Sequence, residues 1–264
     1  MQQKMQPKKP ADDANRPWGA FTVDVEDYYQ VSAFEGGIDR SQWSVMESRV
    51  VPSTQRLLAL LRRHNVTATF FVLGWVAEHF PELVREIHND GHEVGSHSYW
   101  HRLIYQQTPA EFREDLRRSR DVLEEIIGVP VTAYRAPSFS ITESSSWAFE
   151  ILVEEGFESD SSVFPIVHDR YGIPGANPRI HAVDTPAGEL IEFPPSVMKL
   201  WMLNLPVGGG GYFRLYPSLL TRLGLSMASK GGTHPFTQCS TGCEGNSPKA
   251  IPSPPTRSPG CPGF

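Results

Sequence analysis

The first 238 residues contain no cysteine: Cys239, Cys243 and Cys261 all fall within the last 26 of 264. A disulfide framework through the body of the chain is therefore excluded, and cysteine usage does not fix the redox compartment. Long apolar runs are also missing. Nothing approaches the ~18 consecutive apolar residues of a membrane-spanning helix. The first 17 residues carry Lys4, Lys8, Lys9, Asp12 and Asp13 and no apolar segment of the kind that directs export. The expectation is a soluble, cytoplasmic protein with residues 1–17 as a disordered lead. Positive charge is in short supply too. With 24 Lys and Arg against 30 Asp and Glu, the net charge is −6, which argues against a nucleic-acid partner.

What is present alternates between two periodicities. Gly19 to Val25 reads as a buried strand, followed by a helix over Ser53 to His64 with Leu57, Leu58, Leu60 and Leu61 on one face. Val66 to Leu73 is a β-branched and aromatic strand, Pro81 to Asn89 a short helix, and His92 to Ser96 another strand. Thr108-Pro109-Ala110-Glu111 is a capping box with proline at the first helical position, and Gly128 ends the apolar stripe of Phe112, Leu116, Val122, Leu123 and Ile126. Strands follow at Val131 to Tyr134, Phe157 to Asp160 and Glu189 to Phe193, with helices from Thr142 to Gly156 and from Ser218 to Leu225. Strands interleaved with helices predict parallel β-α units, and a barrel of such units places its site at the strand C-terminal ends. The pattern ends near Ser229. Of the final 36 residues, 22 are Gly, Pro, Ser or Thr, so 229–264 is expected to be a disordered or aberrant tail. A biological tail and a shifted reading frame both account for such an end. The barrel is then left without its closing strand.

Chemistry concentrates at two places. His97 and His101 are four residues apart and can close on one cation, with a carboxylate as third ligand and an open position for water. Far upstream, Asp24, Glu26 and Asp27 crowd the end of the first strand. Burying an ionised carboxylate without a partner is prohibitive, so these three must meet solvent, a cation or a proton. The Gly208–Gly211 run has no P-loop lysine and reads as a flexible loop lining a groove. Tyr99, Trp100, Tyr105 and Tyr212 are candidates both for stacking on a ligand and for ordinary packing.

Four stretches occur together in one order: Phe21-Thr22-Val23-Asp24-Val25-Glu26-Asp27-Tyr28-Tyr29, His97-Ser98-Tyr99-Trp100-His101, Tyr134-Arg135-Ala136-Pro137-Ser138-Phe139-Ser140, and Asp160-Ser161-Ser162-Val163. In that order they resemble the motifs of the polysaccharide deacetylases, the NodB-homology group of carbohydrate esterases, over roughly residues 18–228. The wording of the first and third, with Gly208 to Arg214, looks closest to the branch found with exosortase and exopolysaccharide gene clusters. The resemblance implies an α/β fold, a distorted (β/α) barrel of the NodB-homology type, incomplete at its C-terminal end. It further implies a divalent cation, usually zinc, in a hydrolase removing N-acetyl groups from the amino sugars of a polysaccharide in exopolysaccharide biosynthesis. On that resemblance Asp24 is the base and Arg135 holds it ionised, while His97 and His101 are metal ligands with either Glu26 or Asp27 as the third. Pro137 shapes its loop, and Asp160 and Tyr212 stand behind the site or against substrate, with Phe164 as the aromatic residue that follows the Asp160 motif. An amidohydrolase of another non-peptide C–N bond and an inactive sugar-binding scaffold are the alternatives. The family pattern also ends on a strand whose leucine-x-histidine motif supplies the proton donor. His234 is the nearest candidate here, in Gly- and Thr-rich surroundings, which puts activity in doubt.

Overall fold

The computed structural model describes residues 19–168, 171–200, 203–230 and 236–241. The expected lead, His234, and all of the expected tail beyond Thr241 lie outside the described residues. In chain order the elements are β1 (Ala20–Val25), α1 (Val50–His64), β2 (Thr69–Val72), α2 (Gly74–His79), α3 (Pro81–Asn89), β3 (Glu93–Ser96), α4 (Pro109–Ile127), β4 (Ala133–Tyr134), α5 (Ala148–Glu154) and β5 (Ser159–Asp160). The second part adds β6 (His181–Thr185), β7 (Gly188–Glu192), β8 (Val197–Leu200), β9 (Leu203–Pro206), α6 (Gly210–Leu215), α7 (Ser218–Lys230) and β10 (Phe236–Ser240).

Eight strands form one curled sheet in the order β10-β1-β2-β3-β4-β5-β7-β6, and β8 pairs with β9 apart from it. All neighbours in the large sheet run parallel except β6, which returns antiparallel on β7. The fold is an α/β half-barrel, as the alternation of periods predicts. Because helices cover its outer face, Val23, Val25, Phe70, Val72 and Val94 are buried in the parallel strands. Thr108 and Glu111 form the expected reciprocal cap of α4, and Gly128 closes that helix in the left-handed region at φ 72°.

At the C-terminal end a short part of the expected tail is ordered. Of the expected tail, Ser229 and Lys230 end α7, and Phe236 to Ser240 form a strand that pairs in parallel with Ala20 to Asp24, putting Ser240 beside Asp24 in register. Thr237, Gln238, Cys239 and Ser240 carry no apolar alternation, so backbone pairing with the edge of β1 holds this strand where side-chain pattern gives no sign of it. Cys239 consequently belongs to a strand of the sheet, opposite Val23. A second difference lies at α1, which starts at Val50 rather than Ser53 because a distant carboxylate caps it.

Candidate metal centre

The C-terminal ends of β1, β3 and β4 meet β10 around a cavity of about 200 Å³ lined by Asp24, Glu26, His97, His101, Ser138 and Gln238, among others. Asp24, Glu26 and Asp27 are all buried at the end of β1, and each meets a different partner. None is left to water.

Glu26 faces the histidines. Its Oε2 lies 2.7 Å from His101 Nε2 and 3.9 Å from His97 Nε2, and the three candidate donor atoms fall within 4.8 Å of one another. Among the described residues this is the one such group of three. His97 is fixed by its other nitrogen: Nδ1 donates to the Arg135 carbonyl at 2.8 Å, which leaves Nε2 as the lone-pair atom facing Glu26. Burial acts on Glu26 to raise its pKa, but the charges of His101 and His97 and the hydrogen bonds from His101 and Ser240 outweigh it and bring the group to about 2. Burial likewise lowers His97, disfavouring imidazolium. An ionised carboxylate beside a histidine held in the metal-binding tautomer is a donor set suited to a divalent cation. The fit is supported by a second fact: apart from the two histidines, no group approaches Glu26 Oε2 as a hydrogen-bond partner, so that buried oxygen faces only them.

Asp27, the other candidate for third ligand, is turned away. Its Oδ2 accepts from Ser48 Oγ at 2.7 Å, from the Arg49 amide at 2.9 Å and from the Val50 amide at 3.2 Å, while Oδ1 accepts from the Tyr28 amide. It caps α1 from 22 residues upstream in the chain, where a carboxylate meets the positive end of the helix.

Asp24 pairs with Arg135. Arg135 Nη1 donates to Asp24 Oδ1 at 2.7 Å and to Thr22 Oγ1 at 2.8 Å, while Nε and Nη2 donate to Ser161 O and Oγ. The guanidinium is fully buried and lies 4.1 Å over the Phe71 ring, so its position is determined on every side. The second oxygen of Asp24 accepts from the Gln238 amide. Asp160 acts at one remove: its Oδ1 accepts from Ser162 Oγ at 2.5 Å, and Ser162 Oγ accepts from the Ala136 amide at 2.8 Å, which anchors the turn after Arg135. Pro137 opens that turn, and Ser138 and Phe139 hold positive φ of 52° and 53° within it, aiming Ser138 at the cavity.

The loop carrying the histidine pair is tied by a group that sequence reading passed over. Asp115 on α4 accepts from the Tyr99 amide at 2.8 Å and the Trp100 amide at 3.0 Å, and burial raises its pKa against those two donors. A signal existed, because Asp115 interrupts the buried stripe of Phe112, Leu116, Ser119 and Leu123. Glu192, also missed, stands beside Asp160 in register across β5 and β7. Burial and the Asp160 charge raise it well above the ordinary carboxylate range. Gln238 and Ser240 were missed because their segment carries no periodicity. Tyr99 is buried under the Arg118 guanidinium, which assigns it to packing. Tyr212 lines a different cavity, while Gly210 and Gly211 line the one beside Glu26.

Comparison with known proteins bears on the family and the fold. Residues 43–152 match the family "Polysaccharide deacetylase", and residues 161–238 match a domain of unknown function, DUF3473. The chain is similar to a peptidoglycan-N-acetylglucosamine deacetylase of Bacillus cereus, 32% identical over 136 residues that cover 50% of this chain and 48% of the relative. It is also similar to a peptidoglycan deacetylase of Helicobacter pylori, 33% identical over 108 residues, 41% of this chain and 36% of the relative. The chain thus spans about half or less of the curated relatives it matches. A solved structure from Mycobacterium smegmatis, assigned as a polysaccharide deacetylase, superposes with a TM-score of 0.63 at 24% identity, over 88% of this chain and 81% of that one; it bears on the fold.

Proposed function

We propose, from the premise that residues 43–152 match the polysaccharide deacetylases, that the chain hydrolyses N-acetyl groups on the amino sugars of a polysaccharide with the aid of a divalent cation, zinc by preference. The observation that carries this reading is the buried Glu26, His97 and His101 group beside Asp24 at the strand ends. Glu26 and the two histidines would hold the cation. Held there, a divalent cation lowers the pKa of water toward about 7 and draws charge from an acyl oxygen.

The remaining work falls to the chain's own groups. Asp24, kept in place by Arg135, is positioned to accept the proton of the attacking water. Among the described residues lining the cavity, it is the titratable group outside the cation set. The proton it gains is therefore the one available to the departing amine, which this chain must manage without a histidine from β10. Ser138 and the Gly210-Gly211 backbone border the space left for the sugar. The wording of the motifs around Asp24 and Arg135 supports an exopolysaccharide as polymer, whereas the curated relatives are named for peptidoglycan.

A second reading, a sugar-binding protein without turnover, is favoured by one observation: with Arg135 on Oδ1 and Gln238 on Oδ2, both oxygens of Asp24 already accept hydrogen bonds. Acetate release decides between them. The zinc-supplemented chain is expected to liberate acetate from N-acetylglucosamine oligomers, and Asp24→Asn to abolish that while retaining zinc. Absence of acetate from soluble oligomers and from peptidoglycan alike would overturn the hydrolase reading.

A further inference from the structure

Exposed apolar side chains are concentrated in one place. Of the ten large hydrophobics that stand exposed among the described residues, five lie between Leu215 and Met227. Within α7, Leu219, Leu223 and Met227 recur at every fourth position with Leu220 alongside, which puts them in a single stripe along the helix. Leu219 is 67% exposed and Leu223 52%, and Leu215, which ends α6 just before, is 76% exposed. The opposite face is the one that packs. Thr221 and Gly224 are buried there, and Gly224 sits so close to Val207, just after β9, that an added Cβ would come within 2.6 Å of Val207 Cγ1. The helix is thus set down on the β8–β9 side by small residues and turns its leucines outward. A surface helix ordinarily does the reverse.

The charge around this stripe has one sign. From Phe193 to Cys243 the sequence holds Lys199, Arg214, Arg222 and Lys230 and no Asp or Glu, in a chain whose net charge is −6. Arg222 is exposed on α7, three residues from Leu219, which makes the two neighbours on the helix surface. An aliphatic stripe flanked by cations, with no acid near it in the sequence, is the make-up of a helix that lies in a lipid headgroup layer: leucines enter the apolar boundary and cations meet anionic lipid. A second copy of the chain is a poorer match. Pairing the same stripe on itself brings Arg222 toward its own counterpart, and the segment offers no acid to offset the repulsion.

We propose that α7 docks the protein on an anionic lipid surface, its leucine stripe inserted among the headgroups and the cations of residues 193–243 held by lipid phosphate. α6 begins at Gly210 and Gly211 in the wall of the cavity around Glu26, and α7 follows after two residues, so docking sets that cavity near the surface. The docking does not depend on the reaction the cavity carries out. It is tested by sedimenting the full chain with vesicles of phosphatidylcholine alone or mixed with phosphatidylglycerol. The expected result is pelleting with the anionic vesicles that weakens in raised salt, with partitioning at least ~tenfold lower in the double variant Leu219→Gln, Leu223→Gln and about fivefold lower in Arg222→Gln. Val45→Gln, which removes an exposed apolar side chain elsewhere, should bind like the parent. Unchanged melting temperatures separate these losses from misfolding, and Arg222→Gln keeps the test open if the double variant does not fold. Failure of the parent to pellet with anionic vesicles, or pelleting that neither the leucine pair nor Arg222 affects, would overturn the proposal. So would a dimer in sedimentation velocity that the double variant dissolves while the parent ignores vesicles, since the stripe would then belong to a second copy.

Discussion

The two sides of the cavity around Glu26 are built by different means. The side from β1, β3 and β4 presents charge: Asp24, Glu26, His97 and His101, all buried, each fixed by a backbone carbonyl, a guanidinium or a neighbouring ionisable group. The side from α6 and β10 presents Gly210, Gly211, Gln238 and Ser240, neutral groups whose place follows from strand pairing with β1. The two sides meet at two hydrogen bonds, from Gln238 to Asp24 and from Ser240 to Glu26, so a neutral strand built by backbone pairing trims the ionic groups opposite it. Gln238 and Ser240 occupy the wall from which the resemblance leads one to expect a proton-donating histidine.

The largest expected effect breaks the ionic side. Asp24→Asn should lower the rate of acetate release by ~10²-fold or more, the usual scale for loss of a general base, with zinc content unchanged; rates equal to the parent chain would remove Asp24 from the reaction. Next in size is Asp115→Ala, which leaves the Tyr99 and Trp100 amides without their acceptor and should cost ~1–3 kcal/mol in denaturant unfolding. A midpoint within error of the parent would show that the histidine loop does not depend on α4. Asp27→Ala sharpens the contrast between adjacent acids: loss of a helix cap predicts ~1 kcal/mol of stability and no change in zinc affinity.

The smallest effect concerns pH. Glu192 is raised well above the ordinary carboxylate range in the folded chain, so above the unfolded value of ~4.3 the folded state holds a proton that the unfolded state has released. Stability from this group therefore falls as pH rises, until Glu192 ionises in the folded chain. Glu192→Gln should flatten that decline in unfolding midpoints collected across pH; an unaltered slope would exclude the Asp160–Glu192 pair as its source.

How much of this was legible depends on the range of the interactions. Pro81–Asn89 and Pro109–Ile127 could be read to the residue because proline, the Thr108–Glu111 box and Gly128 act locally. The start of α1 could not, because Asp27 caps it from 22 positions away, and the choice between Glu26 and Asp27 turns on that same contact. Parity of side chains along β1 places Asp24 and Glu26 on one side, and that much was readable. Strand β10 was not, since Thr237, Gln238 and Ser240 carry no apolar signal and acquire a strand partner only when β1 is in place. The short β8–β9 hairpin and the second cavity beside it were equally invisible, because residues from Pro165 to Tyr212 meet there only through the folded chain.

The central claim is that Glu26, His97 and His101 form one cation site at which Asp27 takes no part. It is tested most directly by the zinc retained per chain after dialysis, measured by elemental analysis on the parent, His97→Ala and Asp27→Ala proteins. One equivalent in the parent and in Asp27→Ala, and none in His97→Ala, is the predicted result. Zinc retained by His97→Ala, or lost from Asp27→Ala while that variant remains folded, would contradict it.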